Sequence, residues 1–347
     1  MEVRHRITYE LNGRVFGKGP AVLLQVIKQT GSLRESARQL GLSYTKAFQM
    51  IKQAETRLGY PLLNRTVGGS HGGGSTLSHQ ALQLLEDYHR LDELVGAYAQ
   101  DKQNELEQSR LIETLNSYRS ARLISIIGGG GKTTLVHWLC AQRAMTGSSL
   151  LTSTTAMFRP DFLPVDFERV TTEANPVALF SHQIRQDKLK GVEPEEIDRL
   201  KASGRFDSII VEADGSKGLP LKSYGEYEPP IPQSSDLVIL VIGVDGFYQP
   251  IEEVVHRPEI YAAMTRSRLR SPVTAKNYLR HFRNANGALK NVPDCPVLVM
   301  LNRIDLLEDR QVLAELIPGL LSNERVEAVL LTDLSDYRLE TVFRNEV

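Results

Sequence analysis

The chain has 347 residues, which is long enough for two or three domains with cores of their own. Its hydrophobic fraction of 41% and charged fraction of 24% are typical of a globular protein in water. Cys140 and Cys295 have no partners at metal-ligand spacing, which excludes a disulfide framework and a cysteine-based zinc site. The N-terminus lacks the apolar core of a signal peptide, and the longest apolar run, residues 237–244, is too short to span a bilayer. We therefore expect a cytoplasmic protein with no membrane attachment.

The two ends of the chain differ in charge, although the formal net charge is only −1. Residues 1–80 contain 11 Lys and Arg against 4 Asp and Glu, a net charge of +7. The remainder contains 30 basic and 38 acidic residues, a net charge of −8. A basic module on an acidic body suggests that the module binds a polyanion and the body does not. A basic face that is merely solvated would give the same count.

In chain order, the first predicted elements are a hairpin and a helix. Residues 7–11 and 14–16 form two short extended stretches around Asn12-Gly13, a dipeptide favoured in two-residue hairpin turns. Apolar residues at helical spacing follow and predict a first helix that ends near Gly31.

Two further helices are predicted to form a helix-turn-helix. The sequence Ser32-Leu-Arg-Glu35 is a capping box, in which each side chain bonds a backbone amide at the start of the second helix. Gly41 suits the end of that helix, and Ser43 is expected to cap a third helix. The predicted buried face of the third helix consists of Ala47, Ile51, Ala54 and Leu58. Two helices joined by a tight glycine-containing turn make a helix-turn-helix.

The third helix carries the side chains that DNA-reading helices use. Amide, hydroxyl and ammonium groups in its first turns can reach base edges or phosphates in the major groove. The candidate DNA-binding residues are Ser43, Tyr44, Thr45, Lys46, Gln49 and Lys52. The Gly-rich segment at residues 61–78 is interpreted as a wing, with Arg65 placed to contact the phosphate backbone.

The stretch LRESARQLGLSYTKAFQMIKQAETRLGYPLLNRTVGGSHGGGSTLS resembles the N-terminal winged-helix domain of the ModE family of molybdate-responsive regulators. The GGSHGGG wing and the SYTKAF start of the third helix favour this family over the related LysR-type regulators. The resemblance covers roughly residues 15–100, and it implies duplex DNA binding through residues 1–80 and a homodimer formed by a helix at about residues 79–99. Nothing downstream resembles the molybdate-binding repeats of that family, so a molybdate-sensing role is not implied.

The polar segment between residues 100 and 120 lacks Pro and Gly and is predicted to be a helical connector. We place the boundary near Ser117. The chain is thus divided into a winged helix-turn-helix domain at residues 1–100, a connector at residues 101–119 and a P-loop nucleotide-binding domain at residues 120–347.

The second domain begins with a strand, a glycine-rich turn and a helix. A buried strand at residues 122–127 is followed by Gly128, Gly129, Gly130, Gly131, Lys132, Thr133 and Thr134 and then by a predicted helix to about residue 144. Glycine lets successive amides point at phosphate oxygens. Lys132 would neutralise the β- and γ-phosphates of ATP or GTP, and the Thr133 hydroxyl would bind Mg²⁺. Ile126 stands where the standard P-loop has its first glycine, and a glycine-rich turn without a phosphate is the alternative.

Further apolar strands are spaced as in a P-loop NTPase-like α/β fold, a mostly parallel sheet with helices on both faces. They are predicted at residues 149–153, 208–213, 237–242, 297–301 and 326–331. Ligands lie at the carboxyl ends of such strands, which makes Thr154 and Lys217 candidate ligand contacts. Asp214, with Glu212 second, is the candidate to hold magnesium or the attacking water. A strand-end Asp that only caps a turn is the alternative.

The predicted strand at residues 297–301 runs into Asn302-Arg-Ile-Asp305, which resembles the N-K-x-D element of GTP-binding proteins. There the Asp accepts the N–H groups of guanine. Arg303 replaces the Lys, and its planar guanidinium can also stack on a base. The sequence therefore does not decide whether the bound nucleotide is ATP or GTP.

Seven segments, taken in order, resemble the YqeC family: IIGGGGKTT, LLTSTTAMFRP, IIVEADGSKGLPLK, EYEPPIP, VIGVDG, HRPE and LNRID. The resemblance covers roughly residues 120–345. It implies an NTP-binding accessory protein in the maturation of selenium-dependent molybdenum hydroxylases, with such a hydroxylase or a cofactor-maturation protein as its partner. Residues 128–134, Asp214, Lys217 and Asp245 lie at the family's motif positions.

Three functional hypotheses follow. The chain is an NTP-dependent accessory enzyme whose winged helix is secondary, or a transcription regulator in which nucleotide binding alters a DNA-binding dimer. In the third hypothesis, the winged helix is only a dimerisation module. For the enzyme, Lys132 and the turn amides would hold the phosphates while Thr133 and Asp214 organise the metal, so that hydrolysis or phosphoryl transfer proceeds by positioning and charge stabilisation.

Overall fold

The computed structural model describes residues 3–11, 13–65, 74–160 and 163–345. The chain separates into two units, Met1–Glu105 and Leu106–Val347. This division falls within the segment predicted as a connector. Asn12 and residues 66–73, which form the middle of the predicted wing, lie outside the described residues, as do the side chains of Arg14 and Arg65.

The first unit contains the helix-turn-helix. Its elements are β1 (Thr8–Glu10), β2 (Arg14–Gly17), α1 (Lys18–Thr30), α2 (Leu33–Gln39), α3 (Tyr44–Leu58), β3 (Leu63–Arg65), β4 (Ser75–Leu77) and α4 (His79–Asn116), of which α4 continues into the second unit. Helices α1, α2 and α3 and the first turns of α4 share one hydrophobic core with β2. Strands β3 and β4, which lie within the predicted wing at residues 61–78, pair antiparallel.

Side-chain caps define the starts of α2 and α3. The Ser32 hydroxyl accepts a hydrogen bond from the Glu35 amide at 3.3 Å, and the Ser43 hydroxyl accepts one from the Lys46 amide at 3.2 Å. Of the two hydrogen bonds in the predicted capping box at the start of α2, only the bond from the Glu35 amide to the Ser32 hydroxyl is present. The Glu35 carboxylate instead accepts hydrogen bonds from Arg38 and from a neighbouring Gln side chain. These bonds hold the pKa of Glu35 at about 2, chiefly through Arg38.

The first hairpin differs from the prediction. Glu10 pairs with Arg14, so the connection has three residues and not the two predicted, and the register shifts between Tyr9 and Glu10. Gly13 has a φ of +112°, a conformation that glycine adopts without strain.

Helix α4 has 38 residues and is therefore about 57 Å long at a rise of about 1.5 Å per residue. Near its C-terminal end Leu111 and Leu115 are buried in a core of the second unit. In the part of the chain that the structure describes, no helix combines the length and the apolar character needed to cross a bilayer.

The second unit is an α/β domain, and its elements are β5 (Leu123–Gly128), α5 (Lys132–Ala144), β6 (Ser149–Ser153), β7 (Ala156–Phe158), β8 (Val165–Phe167), β9 (Val177–Phe180), β10 (His182–Arg185), β11 (Lys188–Lys190), α6 (Pro194–Ala202), β12 (Ser208–Glu212), β13 (Leu221–Lys222), β14 (Leu237–Gly243), α7 (Ile251–Val254), β15 (Val255–His256), α8 (Pro258–Thr265), α9 (Ala275–Arg283), β16 (Val297–Asn302), α10 (Gln311–Leu321), β17 (Val326–Asp333) and β18 (Arg338–Arg344). Short 3₁₀ turns lie at Val244–Gly246 and Ile304–Leu306.

The main sheet has nine strands in the order β18-β17-β16-β14-β5-β12-β6-β9-β8. Every adjacent pair is parallel except β17 with β18, which closes one edge antiparallel. Helix α5 and the end of α4 pack on one face of the sheet, and α6 to α10 pack on the other. The predicted α/β fold with a mostly parallel sheet and helices on both faces is therefore confirmed.

The strands that the sequence predicts are the inner ones. Six of them, β5, β6, β12, β14, β16 and β17, begin and end within two residues of the predicted limits. The parallel pair β8 and β9 at one edge of the sheet and β18 at the other edge are not predicted from the sequence. Nor is a small antiparallel sheet in the order β10-β11-β7, which we call the flap.

Candidate functional site

A cavity of about 590 Å³ lies in the second unit at the carboxyl ends of β5, β6 and β12. This is the edge at which ligands bind in parallel sheets. Its lining comprises residues 130–134 at the start of α5, residues 155–158, Glu212, residues 215–218, and Lys188, Glu228, His256, Arg257 and Arg303. The first backbone amides of a helix have no partner within the helix, so the N-terminus of α5 offers the cavity donors and a partial positive charge.

The glycine turn, residues 128–131, is largely closed by the protein itself. The Gly128 amide donates to the Asp214 carboxylate at 2.9 Å, the Gly129 amide to the Val241 carbonyl at 2.9 Å, and the Gly130 amide to the Leu219 carbonyl at 3.1 Å. Three of the four glycine amides are thus directed at protein oxygens, contrary to the expectation that they face phosphates. Within the turn, Gly130 and Gly131 line the cavity, together with residues 132–134 of α5.

Close packing explains why the turn contains only glycine. A Cβ on Gly128 would lie 2.1 Å from the Val241 carbonyl oxygen, and one on Gly129 would lie 2.6 Å from the Leu219 carbonyl oxygen. Gly131 has a φ of +131°, and its Cβ would lie 2.4 Å from the Asn302 side-chain nitrogen. Any side chain here would push apart segments that lie about 90 residues or more along the chain.

Lys132 is buried and already paired. Its ammonium group lies 3.0 Å from the Asp214 carboxylate and donates to the Gly128 carbonyl at 2.6 Å. The exposed fractions of the two side chains are 3% and 0%. Lys132 nevertheless borders the cavity, whereas Asp214 does not. To bind a phosphate, the ammonium group must turn at least one of its three N–H donors towards the cavity.

The structure reverses the predicted order of the two carboxylates. Asp214, the predicted metal-associated residue, is fully buried and bonded to the glycine turn. Glu212 borders the cavity and accepts a hydrogen bond from the Thr133 hydroxyl at 2.7 Å. Burial raises the pKa of Glu212, although Lys132 and Thr133 oppose this effect. Thr133 and Glu212 are therefore the oxygen ligands that this arrangement offers to a hard cation.

A line of alternating charges leads from the glycine turn to the cavity wall. Lys222 is buried, with its ammonium group 3.9 Å from the carboxylates of both Asp214 and Glu228. Glu228 in turn accepts two hydrogen bonds from Arg257, at 2.8 and 3.0 Å. Burial lowers the pKa of Lys222. Burial also raises the pKa of Glu228, but the bonds from Arg257 and the Gly225 amide, together with the charges of Lys222 and Arg257, outweigh this effect and hold the Glu228 pKa at about 2.

The remaining predicted ligand residues are divided between the cavity and its surroundings. Lys217 is exposed and lines the cavity, as Thr134 does. Thr154 is buried, with its amide bonded to the Glu212 carbonyl, and its neighbour Thr155 lines the cavity instead. Asp245 lies behind the lining and forms an ion pair with Arg303 at 2.7 Å.

The element that resembles N-K-x-D joins the glycine turn to the sheet. The Asn302 amide nitrogen donates to the Gly130 carbonyl at 2.6 Å, and its oxygen accepts from the Leu334 amide at 2.8 Å. Asp305 is exposed and is not part of the cavity lining, which Arg303 joins. These positions do not support the predicted reading of guanine by Asp305.

Several lining residues were not candidates from the sequence. His256 lies beside Arg257, and burial with the nearby cations Lys222 and Arg257 lowers its pKa, so the imidazole is neutral near pH 7. Phe158 and Lys188 enter the lining from the flap. Phe158 lies in the segment LLTSTTAMFRP and His256 and Arg257 lie in HRPE, so the signal for these residues in the sequence is the resemblance to the YqeC family. Strand β11, which carries Lys188, has no motif. Among the described residues, no cluster of three or more His, Cys, Asp or Glu side chains is arranged to hold a metal ion.

In the first unit, α3 presents the polar face that the sequence predicts. Ala47, Ile51 and Ala54 are buried, whereas Leu58 is half-buried. The exposed residues are Ser43, Tyr44, Thr45, Lys46, Gln49 and Lys52. The Arg34 guanidinium lies 5.7 Å from the centre of the Tyr44 ring, which adds a cation to this face. Arg65 is the last residue of β3.

Each of the two units matches a family model. A family model described as "YqeC protein" matches residues 124–259, and one described as "Bacterial regulatory helix-turn-helix protein, lysR family" matches residues 21–81. The chain is similar to "Uncharacterized protein YqeC" of Escherichia coli (strain K12), with 34% identity over 244 residues, 67% of this chain and 95% of that protein.

Two regulators or binding proteins match over a shorter length. "Molybdenum-pterin-binding protein MopB" of Rhodobacter capsulatus is 28% identical over 120 residues, 33% of this chain and 44% of that protein. "DNA-binding transcriptional dual regulator ModE" of Escherichia coli (strain K12) is 27% identical over 95 residues, 27% of this chain and 36% of that protein. The chain thus spans less than half the length of these two relatives, and the likeness supports a helix-turn-helix of the LysR and ModE type.

Proposed function

The chain belongs to the YqeC family, and from this premise we propose that its second unit binds ATP or GTP with Mg²⁺ and hydrolyses it or transfers its phosphoryl group. The observation that carries the proposal is the hydrogen-bonded pair Thr133–Glu212 at the N-terminus of a 13-residue helix that borders a cavity. Helix amides favour anions, and a hydroxyl beside a carboxylate offers the hard oxygen ligands that Mg²⁺ prefers. Lys217 and Arg257 add positive charge to the same lining.

Each of these residues has a defined task in the proposal. The amides of residues 131–134 bind phosphate oxygens, and Lys132 moves its ammonium group from the Gly128 carbonyl to the same oxygens. Thr133 and Glu212 hold the metal, and when bound, Mg²⁺ supplies neutralisation of the charge on the phosphates. Asp214 holds Lys132 and the turn in place from beneath.

Calorimetry with ATP and GTP in the presence of Mg²⁺ tests this proposal. We expect Lys132→Ala to weaken nucleotide binding and to abolish turnover, and Thr133→Val to remove the dependence of affinity on Mg²⁺. Lys276→Ala is the matched control, because Lys276 is an exposed lysine of the same unit that does not line the cavity. Since Lys132→Ala leaves Asp214 buried without its partner, Thr133→Val provides an independent test that leaves that ion pair intact. Equal affinity and turnover in the parent and both variants would refute the proposal.

We also propose that the first unit binds duplex DNA as a dimer and acts as a transcription regulator. Support comes from the exposed polar face of α3, from the net charge of +7 in residues 1–80, and from the names of the relatives. A mobility-shift assay on the DNA upstream of its operon, with and without ATP or GTP, tests both the binding and its regulation.

Point variants distinguish base-specific binding of DNA from electrostatic binding to its phosphates. We expect Gln49→Ala to weaken binding to the specific duplex alone, because amide side chains read base edges. Lys46→Ala should lower the slope of log affinity against log salt by about 1, which corresponds to one lost phosphate contact. Lys28→Ala removes an exposed lysine of α1 and serves as the charge control. Binding that is weak and unchanged in both α3 variants would support a dimerisation module instead.

Finally, we propose that the chain acts in the maturation of a molybdenum enzyme. The family resemblance implies that this enzyme is a selenium-dependent hydroxylase. The molybdenum in the name of the relative MopB supports this assignment. We expect deletion of the chain to leave the hydroxylase polypeptide present but inactive. Restoration of activity by the parent and not by Thr133→Val would connect this role to the cavity, and full hydroxylase activity after deletion would refute it.

A further inference from the structure

The cavity has a polar part and an apolar part. The residues at the start of α5 carry amides, hydroxyls and an ammonium group, whereas Ala156, Met157 and Phe158 of strand β7 supply an apolar stretch. A volume of about 590 Å³ lies in the range of about 300–1,000 Å³ that is usual for small-molecule sites. The cavity can therefore accept a ligand that has both an anionic part and a flat apolar part.

Phe158 provides the phenyl ring of the lining, and its position is fixed by the flap. Met157 is buried with an exposed fraction of 2%, but Phe158 is 58% exposed. Strand β7 pairs antiparallel with β11 so that Phe158 is directly opposite Lys188. The Lys188 ammonium group lies 5.7 Å from the centre of the ring, a cation–π contact that orients it. A large ring that is exposed yet held in place is suited to stacking.

The alternative site for a base is the segment around Asp305. That carboxylate is exposed and lies outside the lining, and the amide of Asn302 bonds the backbone on both of its ends. This segment therefore places no carboxylate at the cavity that could accept the N–H groups of guanine.

We propose that Phe158 is the stacking platform for the base of the bound nucleotide, and that the flap rather than Asp305 determines base recognition. This inference rests on the proposed nucleotide-binding function and adds how the base is held. Every nucleobase has a flat face, so a site that holds its base by stacking tolerates different bases. We therefore expect ATP and GTP to bind with similar affinity.

Calorimetry with three ligands, ATP, GTP and inorganic tripolyphosphate, each with Mg²⁺, tests the inference on the full chain. Phe158→Ala is expected to weaken both nucleotides by about 5- to 150-fold, the effect of losing one base–aromatic stack, and to leave tripolyphosphate unchanged. Phe158→Trp should retain nucleotide affinity. Because the ring is exposed, its removal is not expected to affect folding. Asp305→Ala is the matched control and should change neither nucleotide.

The outcomes distinguish the inference from the function on which it rests. If the parent binds all three ligands and Phe158→Ala leaves nucleotide affinity unchanged, the stacking role is refuted and the phosphate site stands. Selective loss of GTP binding in Asp305→Ala would also refute it and would restore guanine reading. If the parent binds neither tripolyphosphate nor nucleotides, the proposed function fails and the inference fails with it.

Discussion

The buried ion pair of Lys132 with Asp214 provides the sharpest test of how the glycine turn is held. The two groups lie 3.0 Å apart with almost no exposure. Removal of one partner of a buried pair costs about 3–5 kcal/mol, because the other charge is left uncompensated. Lys222 remains 3.9 Å from Asp214, and the Gly128 amide still donates to it, so we expect the lower end of this range.

We therefore expect Lys132→Met and Asp214→Asn each to lower the free energy of unfolding by about 3 kcal/mol. The double variant should lose less than the sum, with an interaction energy of about 2 kcal/mol, because it leaves neither charge unpaired. Urea denaturation of the full chain, followed by the fluorescence of Trp138, measures these values. Trp138 is the only tryptophan in the chain and lies in α5, so its signal reports on the second unit.

The exposed pair of Arg199 with Glu196 in α6 serves as the control. Their side chains are 70% and 38% exposed, and a double-variant cycle on them should give at most about 0.5 kcal/mol. If the free-energy changes of Lys132→Met and Asp214→Asn are additive, the two groups do not act as a pair. The ion pair would then not be what holds the glycine turn in place.

Three further outcomes are expected. Burial lowers the pKa of His281 from its ordinary value near 6.5 to about 3, so the unfolded chain binds a proton that the folded chain excludes, and stability falls as the pH drops below 6.5. Between pH 7.5 and pH 5 this loss is about 2 kcal/mol, measured by urea denaturation, and His281→Gln should remove it. Gly128→Ala should lower the free energy of unfolding by about 3 kcal/mol or more, because its Cβ would meet the Val241 carbonyl oxygen at 2.1 Å and its φ is +98°. Gly204→Ala, at a φ of +69° with open space around it, should cost only about 1 kcal/mol, and equal losses would contradict the packing argument. Finally, removal of Mg²⁺ by a chelator should weaken nucleotide binding to the parent but not to Thr133→Val, as calorimetry can verify.

The inner strands of the sheet could be predicted because both of their faces are covered. Residues 237–243 read as an unbroken apolar run, which is the pattern of a parallel strand between two layers of helices. The flap gives no such pattern, since β10 is exposed along its whole length and its sequence is polar apart from Ile184. Its place beside the cavity depends on pairing between segments about 30 residues apart, which a single sequence does not reveal.

Within the site, the sequence located the segments but not the partners. Glu212 and Asp214 are two residues apart at the end of β12, and nothing in that spacing indicates which carboxylate faces the cavity. The partners of the glycine amides, the Leu219 and Val241 carbonyls, lie about 90 and 110 residues further along the chain. A glycine run that packs against backbone and one that wraps a phosphate have the same sequence pattern.

The two-sided bonding of Asn302 makes the glycine turn and the β17–β18 hairpin dependent on each other. The side-chain amide of Asn302 has a donor end and an acceptor end. Its nitrogen donates to the Gly130 carbonyl, and its oxygen accepts from the Leu334 amide. An aspartate of the same shape would place a negative oxygen against the Gly130 carbonyl, and a leucine would leave both backbone groups unbonded. A ligand that moves the Gly130 carbonyl would therefore disturb the side chain that bonds the end of β17, next to the Tyr337 ring stacked on the indole of Trp138.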